Sequence, residues 1–247
     1  MYNFDTTQYL LEIFQEIKEA GWHESRRKGN TGIGKTFEDL LEKEEDNLDE
    51  PDLFDIEVKT HDEDSSSMIT LFTKSPTNPR GANKYLRESY GALNEDGLKT
   101  LHQTISAKQK TNSQLFDFDF SIEVDRSNRR VNICVFNKLG ELIDNHIFWS
   151  FEDLQKQLEK KLKKIAVVSG NKKEESGKVY YKYNKVELVT GLNIDNLILA
   201  IENGDLKIDI RIGVFRTGPK MGQTHDHGTG FRISGSKLVK YADVIAI

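Results

Sequence analysis

Pro51-Asp52-Leu53-Phe54-Asp55-Ile56-Glu57-Val58-Lys59-Thr60 reads as a strand that alternates. A period of two puts Phe54, Ile56 and Val58 on one face and Asp55, Glu57 and Lys59 on the other. The apolar row can lie on a core. The polar row sets two carboxylates and one ammonium on a single surface, and Asp52 enters just ahead of it. Carboxylates at that spacing can share a divalent cation, which takes hard oxygen ligands. A lysine two residues beyond such a ligand can reach the water or phosphate oxygen that the metal activates. The same alternation also describes an edge strand with one solvated, charged face, and spacing alone favours that blander reading.

The charge around the stretch shifts the balance. The chain has 247 residues and a formal net charge of −5, which at first argues against a nucleic-acid partner. Between Glu38 and Asp64, however, fourteen Asp and Glu stand against two Lys (Lys43 and Lys59), a local balance of −12 that leaves +7 for the remainder. An acidic, metal-binding segment in a mildly basic body suits a phosphate partner. With 36% apolar residues the chain can bury one large core or two modest ones. Its single cysteine, Cys134, excludes an internal disulfide framework and a cysteine-built zinc site, and its strand-like neighbours predict a buried thiol. No stretch reaches transmembrane length and no signal-type apolar run is visible, so a cytoplasmic, reducing location without a membrane partner is expected.

Upstream of the opening stretch, Tyr9, Leu10, Ile13, Phe14 and Ile17 predict an amphipathic helix over 6–20, stopped by Gly21. The loop from Trp22 to Thr36 is basic and punctuated by glycine, which allows close backbone approach to a polyanion; Lys28 is its candidate phosphate contact. Gly29–Thr36 matches G-x-x-x-x-G-K-T formally, but a phosphate-binding loop of that type follows a buried apolar strand, and polar and basic residues precede this one. A helix is expected from about Thr36, with Phe37, Leu40 and Leu41 inward and Glu38 in its first turn, where a carboxylate suits the helix dipole.

Downstream, Met68–Thr73 predicts a strand. It runs into a loop fixed by Pro76, Pro79 and Gly81, from which Lys74 and Arg80 can touch phosphate. Residues 82–114 are polar and read as a short helix and long loops. Phe116–Val124, Arg129–Phe136 and Asn145–Trp149 predict a strand meander, Phe151–Lys164 a helix, and Ile165–Val168 a short buried strand. The charged run Asn171–Gly177 is the expected lobe boundary, giving a first lobe over 1–172 and a second over 173–247. In the second lobe, Val179–Leu188 reads as a strand, followed by a helix near Asn193–Asn203. Asp209–Arg216 then reads as a strand with Ile210, Ile212 and Val214 on one face, and Thr224–Ile233 returns beside it after a glycine-rich turn.

That return carries His225-Asp226-His227. Two imidazoles two residues apart on a strand can bind zinc, although no third ligand stands at a convincing spacing. Alternatively, the two histidines with Asp226, Arg211 and Arg232 can read base edges. Arginine offers a bidentate fork to guanine, and an acidic acceptor suits the cytosine amino group. A polar turn is the third reading.

These blocks together resemble the MvaI/BcnI family of type II restriction endonucleases, and look closer to its MvaI branch. The resemblance covers nearly the whole chain. It rests on Gly21–Asp49 (GWHESRRKGNTGIGKTFEDLLEKEEDNLD), Pro51–Thr60, Leu71–Asn83 (LFTKSPTNPRGAN), Leu101–Ser113 (LHQTISAKQKTNS), Ile201–Gly213 and Thr224–Ile233. It implies an α/β (α+β) fold: a PD-(D/E)XK nuclease core, related to the strand-nicking enzyme MutH, with a mixed sheet flanked by helices and a C-terminal DNA-recognition lobe. It implies a monomer that binds duplex DNA with Mg²⁺ in a prokaryotic cell, alongside a cognate DNA methyltransferase. It also implies cutting at a CC-N-GG-type site, with a central A·T pair on the MvaI branch, one strand at a time. In this chain Asp52 and Glu57 take the metal-ligand positions, Lys59 the catalytic-lysine position and Glu38 the helix carboxylate. Arg211, His225, Asp226, His227 and Arg232 fall on base-reading positions, with Asp209 beside them. The gap of four residues between Asp52 and Glu57 is short for the wider superfamily and leaves Asp55 as a rival ligand. A MutH-like repair nickase and a non-catalytic DNA-binding module are the alternatives.

Overall fold

A computed structural model describes residues 5–27, 29, 31–41, 51–63 and 68–247. The first half runs α1 (Thr6–Ala20), β1 (His23–Glu24), α2 (Gly32–Leu40), β2 (Ile56–Asp62), β3 (Ile69–Thr73), α3 (Ala82–Tyr90), β4 (Ala92–Leu93), β5 (Lys99–Ile105) and β6 (Phe118–Asp125). The rest is β7 (Arg130–Asn137), β8 (Leu142–Ser150), α4 (Phe151–Lys161), β9 (Lys164–Glu175), β10 (Lys178–Thr190), α5 (Ile194–Glu202), β11 (Leu206–Val214), β12 (Thr224–Asp226), β13 (Gly230–Ile233), α6 (Gly235–Leu238) and β14 (Asp243–Ala246). Among the described residues no helix is long and apolar enough to cross a membrane.

The chain divides into two compact units, and each is discontinuous. The first takes Met1–Ile69, Leu158–Leu192 and Ser234–Ile247; the second takes Thr70–Gln157 and Asn193–Ile233. A single cut at 172/173 does not describe this division. The reason is strand pairing. β2 runs parallel to β9, with Ile56 opposite Lys164 and Asp62 opposite Gly170, and a parallel pair needs a long crossover. Residues 70–157, most of the second unit, lie within that connection.

In the first unit the strand order is β1-β10-β9-β2, and β14 also pairs with β10. Asp5 caps α1 by accepting from the Thr7 and Gln8 amides, and Gly21 (φ +81°) ends it. Leu10, Phe14 and Ile17 of α1 and Ile33 and Phe37 of α2 form one core with Ile56, Val58, Ala166, Val168, Tyr181 and Tyr183 of the sheet. Each large apolar side chain so buried contributes roughly 1.5–3 kcal/mol. The expected boundary at 171–177 is instead a continuous ribbon. β9 and β10 stay paired to Glu175 and Lys178, and Ser176 (φ +52°) and Gly177 (φ +73°) form the turn. The β9 arm, Lys172–Glu175, is charged on both faces and gives a loop's signature by composition, while the β10 arm opposite carries Val179 and Tyr181 toward the core.

The second unit holds two sheets. One has the order β3-β13-β11-β5-β4, with β12 also on β11; the other is the expected meander β6-β7-β8. Phe231 stacks on Phe72 with ring centroids 4.5 Å apart and meets Trp149 edge-on at 5.4 Å. Within 82–114, where loops are expected, β5 pairs with β11. The expected return strand over Thr224–Ile233 is two strands, β12 and β13, broken at His227–Thr229.

Candidate active site and recognition surface

β2 begins at Ile56, not at Phe54. Leu53 and Ile56 exchange backbone hydrogen bonds of 2.9 and 2.8 Å, which closes a tight turn over Phe54 and Asp55. Phe54 sits there with φ +53° and is 65% exposed, so it does not share the apolar face of Ile56 and Val58. Leu53, buried, takes that place. The turn also separates the two rival aspartates. Asp55 stands at its tip, accepts from the Thr6 hydroxyl at 2.6 Å and pairs with Lys164 at 2.8 Å. Asp52 is folded back along the strand, and its Oδ2 accepts from the Val58 amide at 2.9 Å.

The structure therefore brings together Asp52, Glu57 and Lys59, and leaves Asp55 out. Glu57 is 4% exposed. Its Oε1 accepts from the Lys59 ammonium, while its Oε2 is buried without a hydrogen-bond partner among the described residues. Burial pushes the Glu57 carboxyl above its ordinary value; the Lys59 ammonium opposes this and the Asp52 carboxylate adds to it. A buried carboxylate oxygen beside a second carboxylate is an unfavourable arrangement unless a cation joins them. The donor set, two carboxylates with a lysine held next to them, fits a hard divalent ion. No group of three or more His, Cys, Asp or Glu side chains suited to a metal occurs among the described residues.

Glu38 lies on α2, which packs against β2 at Gly34. Both the Glu38 Oε1 and the Thr60 hydroxyl lie near Gly34, 3.9 and 3.2 Å from where a Cβ on that glycine would stand. The G-K-T element is not a phosphate loop. α2 starts at Gly32, four residues earlier than expected, so Gly34, Lys35 and Thr36 are helical. Lys35 pairs with Asp39 at 2.9 Å, and the Thr36 hydroxyl accepts from the Arg26 amide at 3.1 Å. Gly32 is needed for packing: a Cβ there would lie 2.6 Å from the Tyr181 hydroxyl and 2.7 Å from the Arg27 carbonyl. Lys28 lies outside the described residues.

Asp209, Arg211, His225 and Arg232 gather on one face of the β11 sheet, whereas Asp226 stands opposite Ile212 and so points to the other face. Leu206, Ile208, Ile210 and Ile212 point inward, leaving Lys207, Asp209 and Arg211 on the other side. Asp209 accepts from the Thr104 hydroxyl at 2.9 Å and from Arg232 at 3.0 Å. Arg211 donates its Nε–H to the Gly228 carbonyl at 2.9 Å, which fixes the plane of its guanidinium fork. Opposite Gly213 stands His225. Its ring stacks on Phe215 at 4.3 Å and lies 4.3 Å from that of His227. Burial, together with the neighbouring His225, His102 and Arg211, holds His227 below its ordinary value, and Asp226 opposes them. Asp226 Oδ1 accepts from the Gly228 amide at 2.8 Å, and its Oδ2 accepts from Ser75 at 2.7 Å and from Asn83.

Lys74 and Arg80 lie on the segment after β3, Arg80 exposed. The Lys74 backbone is held by Thr229 and by the Trp149 indole, both at 2.9 Å. Burial works against ionisation of Asp153, but hydrogen bonds from Ser150 and Thr77 and the charge of Lys74 hold its carboxyl below the usual range.

Sequence reasoning misses His102 and Thr104, which pair across from Arg211 and Asp209 and lie on the same polar face. A signal was present: Leu101 and Ile105 are buried while His102 and Thr104 are exposed, a period of two hidden in a polar stretch. Ser75, Asn83 and Phe215 are also missed, because only the fold brings them to Asp226 and His225.

Comparison with known proteins supplies the class. The model of the MvaI/BcnI restriction endonuclease family matches residues 11–240. The structure is similar to "Restriction endonuclease MvaI-cognate DNA substrate complex" at 55% identity, covering 98% of each chain, with a TM-score of 0.94. It is similar to "Restriction endonuclease MvaI in the absence of DNA" at 53% identity, covering 100% of each chain, with a TM-score of 0.67. No curated protein matches. Fold and likeness together define a type II site-specific endonuclease. The chain belongs to the MvaI/BcnI restriction endonuclease family.

Proposed function

We propose that the enzyme hydrolyses both strands of duplex DNA at a CC-N-GG-type site with a central A·T pair. It would act as a Mg²⁺-dependent monomer of PD-(D/E)XK type that cuts one strand at a time. The observation that carries the cutting centre is the buried Oε2 of Glu57, without a hydrogen-bond partner among the described residues, beside Asp52 and Lys59. Asp52 and Glu57 would hold the ion, with Glu38 close to the same strand. When bound, Mg²⁺ supplies Lewis-acid polarisation of the scissile phosphate and a lowered pKa for the attacking water. Lys59 holds that water by hydrogen bonding and offsets the negative charge that develops on the phosphorus oxygens. In the free structure the ammonium rests on Glu57 Oε1, so it is already oriented at the site. One chain carries one Asp52–Glu57–Lys59 set, so a monomer cuts the two strands in succession.

The first unit is the catalytic unit in this reading, and the β11 sheet of the second reads the site. Arg211, His225, His227 and Arg232 face base edges, Asp209 and Asp226 act as acceptors, and Lys74, Arg80 and Lys28 contact phosphate. The setting is the cytoplasm of a prokaryote, where a cognate methyltransferase protects the host's own sites. The test is to digest DNA of known sequence with Mg²⁺ and sequence the ends. Ends confined to CC-N-GG sites, with a transient nicked intermediate, are expected. Ends at unrelated sequences refute the site, and nicked circles that persist indicate a MutH-like nickase.

A further inference from the structure

The base-reading face depends on a turn, His227–Thr229, that interrupts the β12–β13 return. At its centre Gly228 has φ +81°, and a Cβ there would lie 3.0 Å from Thr73 Cβ. Such a turn needs something to hold it. The holder is a closed triangle of hydrogen bonds. The Ser75 hydroxyl donates to Asp226 Oδ2 at 2.7 Å and accepts from the Asn83 amide at 2.9 Å; the Asn83 amide also donates to Asp226 Oδ2. The other carboxylate oxygen accepts from the Gly228 amide. Three of about four acceptor positions of the carboxylate are therefore used within the protein, leaving one on Oδ1.

Asn83 is itself anchored, because it lies in the first turn of α3 and α3 is fixed along its length. Arg87, 7% exposed, donates to the Gly222 carbonyl at 3.2 Å and so ties α3 to the segment leading into β12. Tyr85 donates to the Asp144 carboxylate at 3.0 Å, and Tyr90 donates to the same oxygen from a buried position. Thus α3 grips the Gly222–His227 segment at two points, Asn83 on Asp226 and Arg87 on Gly222, and is itself held to β8.

We propose that Ser75 and Asn83 are specificity-determining positioning residues: by orienting Asp226 they set the geometry in which His225, His227 and Arg211 meet the bases. Neither residue touches DNA in this role. The inference rests on the base-reading function proposed for that face.

The experiment measures kcat/KM on the cognate duplex and on duplexes with one base pair of the site changed. Affinity for DNA lacking the site and thermal melting are followed in parallel. Hydrogen bonds to a charged group correspond to roughly a 10- to 100-fold effect. Ser75→Ala and Asn83→Ala are expected to lower cognate kcat/KM by that factor and changed-site kcat/KM much less, so the discrimination ratio falls. Affinity for site-free DNA stays the same, and Ser75→Thr, which keeps the hydroxyl, restores the ratio. If Asn83→Ala lowers the melting temperature too far to be assayed, Ser75→Ala decides. An unchanged ratio in Ser75→Ala and Asn83→Ala, while Arg211→Ala and His225→Ala lose discrimination, overturns this inference and leaves the base-reading function standing. An unchanged ratio in all four overturns both. A uniform loss on every sequence, with lowered melting and no rescue by Ser75→Thr, shows a structural role only and also overturns it.

Discussion

The proposed cutting centre on β2 and the polar face on β11 differ in how their charged groups are held. On β2 a buried carboxylate keeps an oxygen without a hydrogen-bond partner among the described residues, and burial raises its pKa. On β11 the charged groups are held by hydrogen bonds within the protein: Asp209 by Thr104 and Arg232, Arg211 by the Gly228 carbonyl, and Asp226 by three donors. In the proposed reading, a cation completes the first arrangement. The second is held by hydrogen bonds within the protein, and side chains fixed in this way cost less to order on binding. In the proposed reading, a centre that takes a cation tolerates local instability, and a surface that discriminates base edges gains from rigidity.

The strongest way to break this contrast is at Lys59. Lys59→Ala should reduce single-turnover cleavage by about 10²–10³-fold or more, the range seen when one electrostatic donor is lost from an active site. Gel-shift affinity for the cognate duplex should be retained. On the other face, Arg211→Ala or His225→Ala should cost about 1–3 kcal/mol of discrimination between the site and single-base variants, read as the ratio of their cleavage rates. A uniform loss of affinity on all sequences would instead count against base reading.

The contrast also predicts opposite responses of stability. A cation that binds only the folded state at 100 times its Kd should stabilise the wild type by about 2.7 kcal/mol in denaturant unfolding, and Glu57→Gln much less. Without metal the sign reverses. Glu57 has a folded-state pKa above its ordinary value. Its contribution is therefore most favourable below the ordinary carboxylate range and is lost as pH rises through the raised folded value. Metal-free Glu57→Gln should melt above the wild type at neutral pH, and the gap should close in acid. The smallest effect is expected at Cys134, which is 4% exposed and whose thiol is pushed up to about 12, chiefly by burial and then by Glu123. A thiol reagent at neutral pH should label it only after unfolding.

Much of both regions was legible in the sequence. The Asp52–Lys59 spacing, the acidic block around it and the blocks shared with the family single out the residues of the proposed cutting centre, and His225–His227 with Arg211 those of the proposed reader. The losses have physical causes. Phe54 looks like a strand residue because it is apolar and in phase, yet the Leu53–Ile56 turn places it at φ +53°. That turn is also what separates Asp52 from Asp55. β5 was missed because His102, Gln103 and Thr104 make a polar strand with only Leu101 and Ile105 buried. The β9–β10 ribbon reads as a boundary because its β9 arm, Lys172–Glu175, shows no apolar face; the apolar residues Val179 and Tyr181 lie on the opposite arm. Ser75 and Asn83 carry no local signal; their importance comes from partners 151 and 143 residues away.

The most direct test of the cutting centre is single-turnover cleavage of a cognate duplex by wild type, Lys59→Ala and Glu57→Gln, with Mg²⁺ and with chelator. The account predicts cutting by the wild type with Mg²⁺ alone, and near-complete loss in both variants while the duplex stays bound. Cleavage at wild-type rate by Lys59→Ala, or by the wild type in chelator, would contradict it.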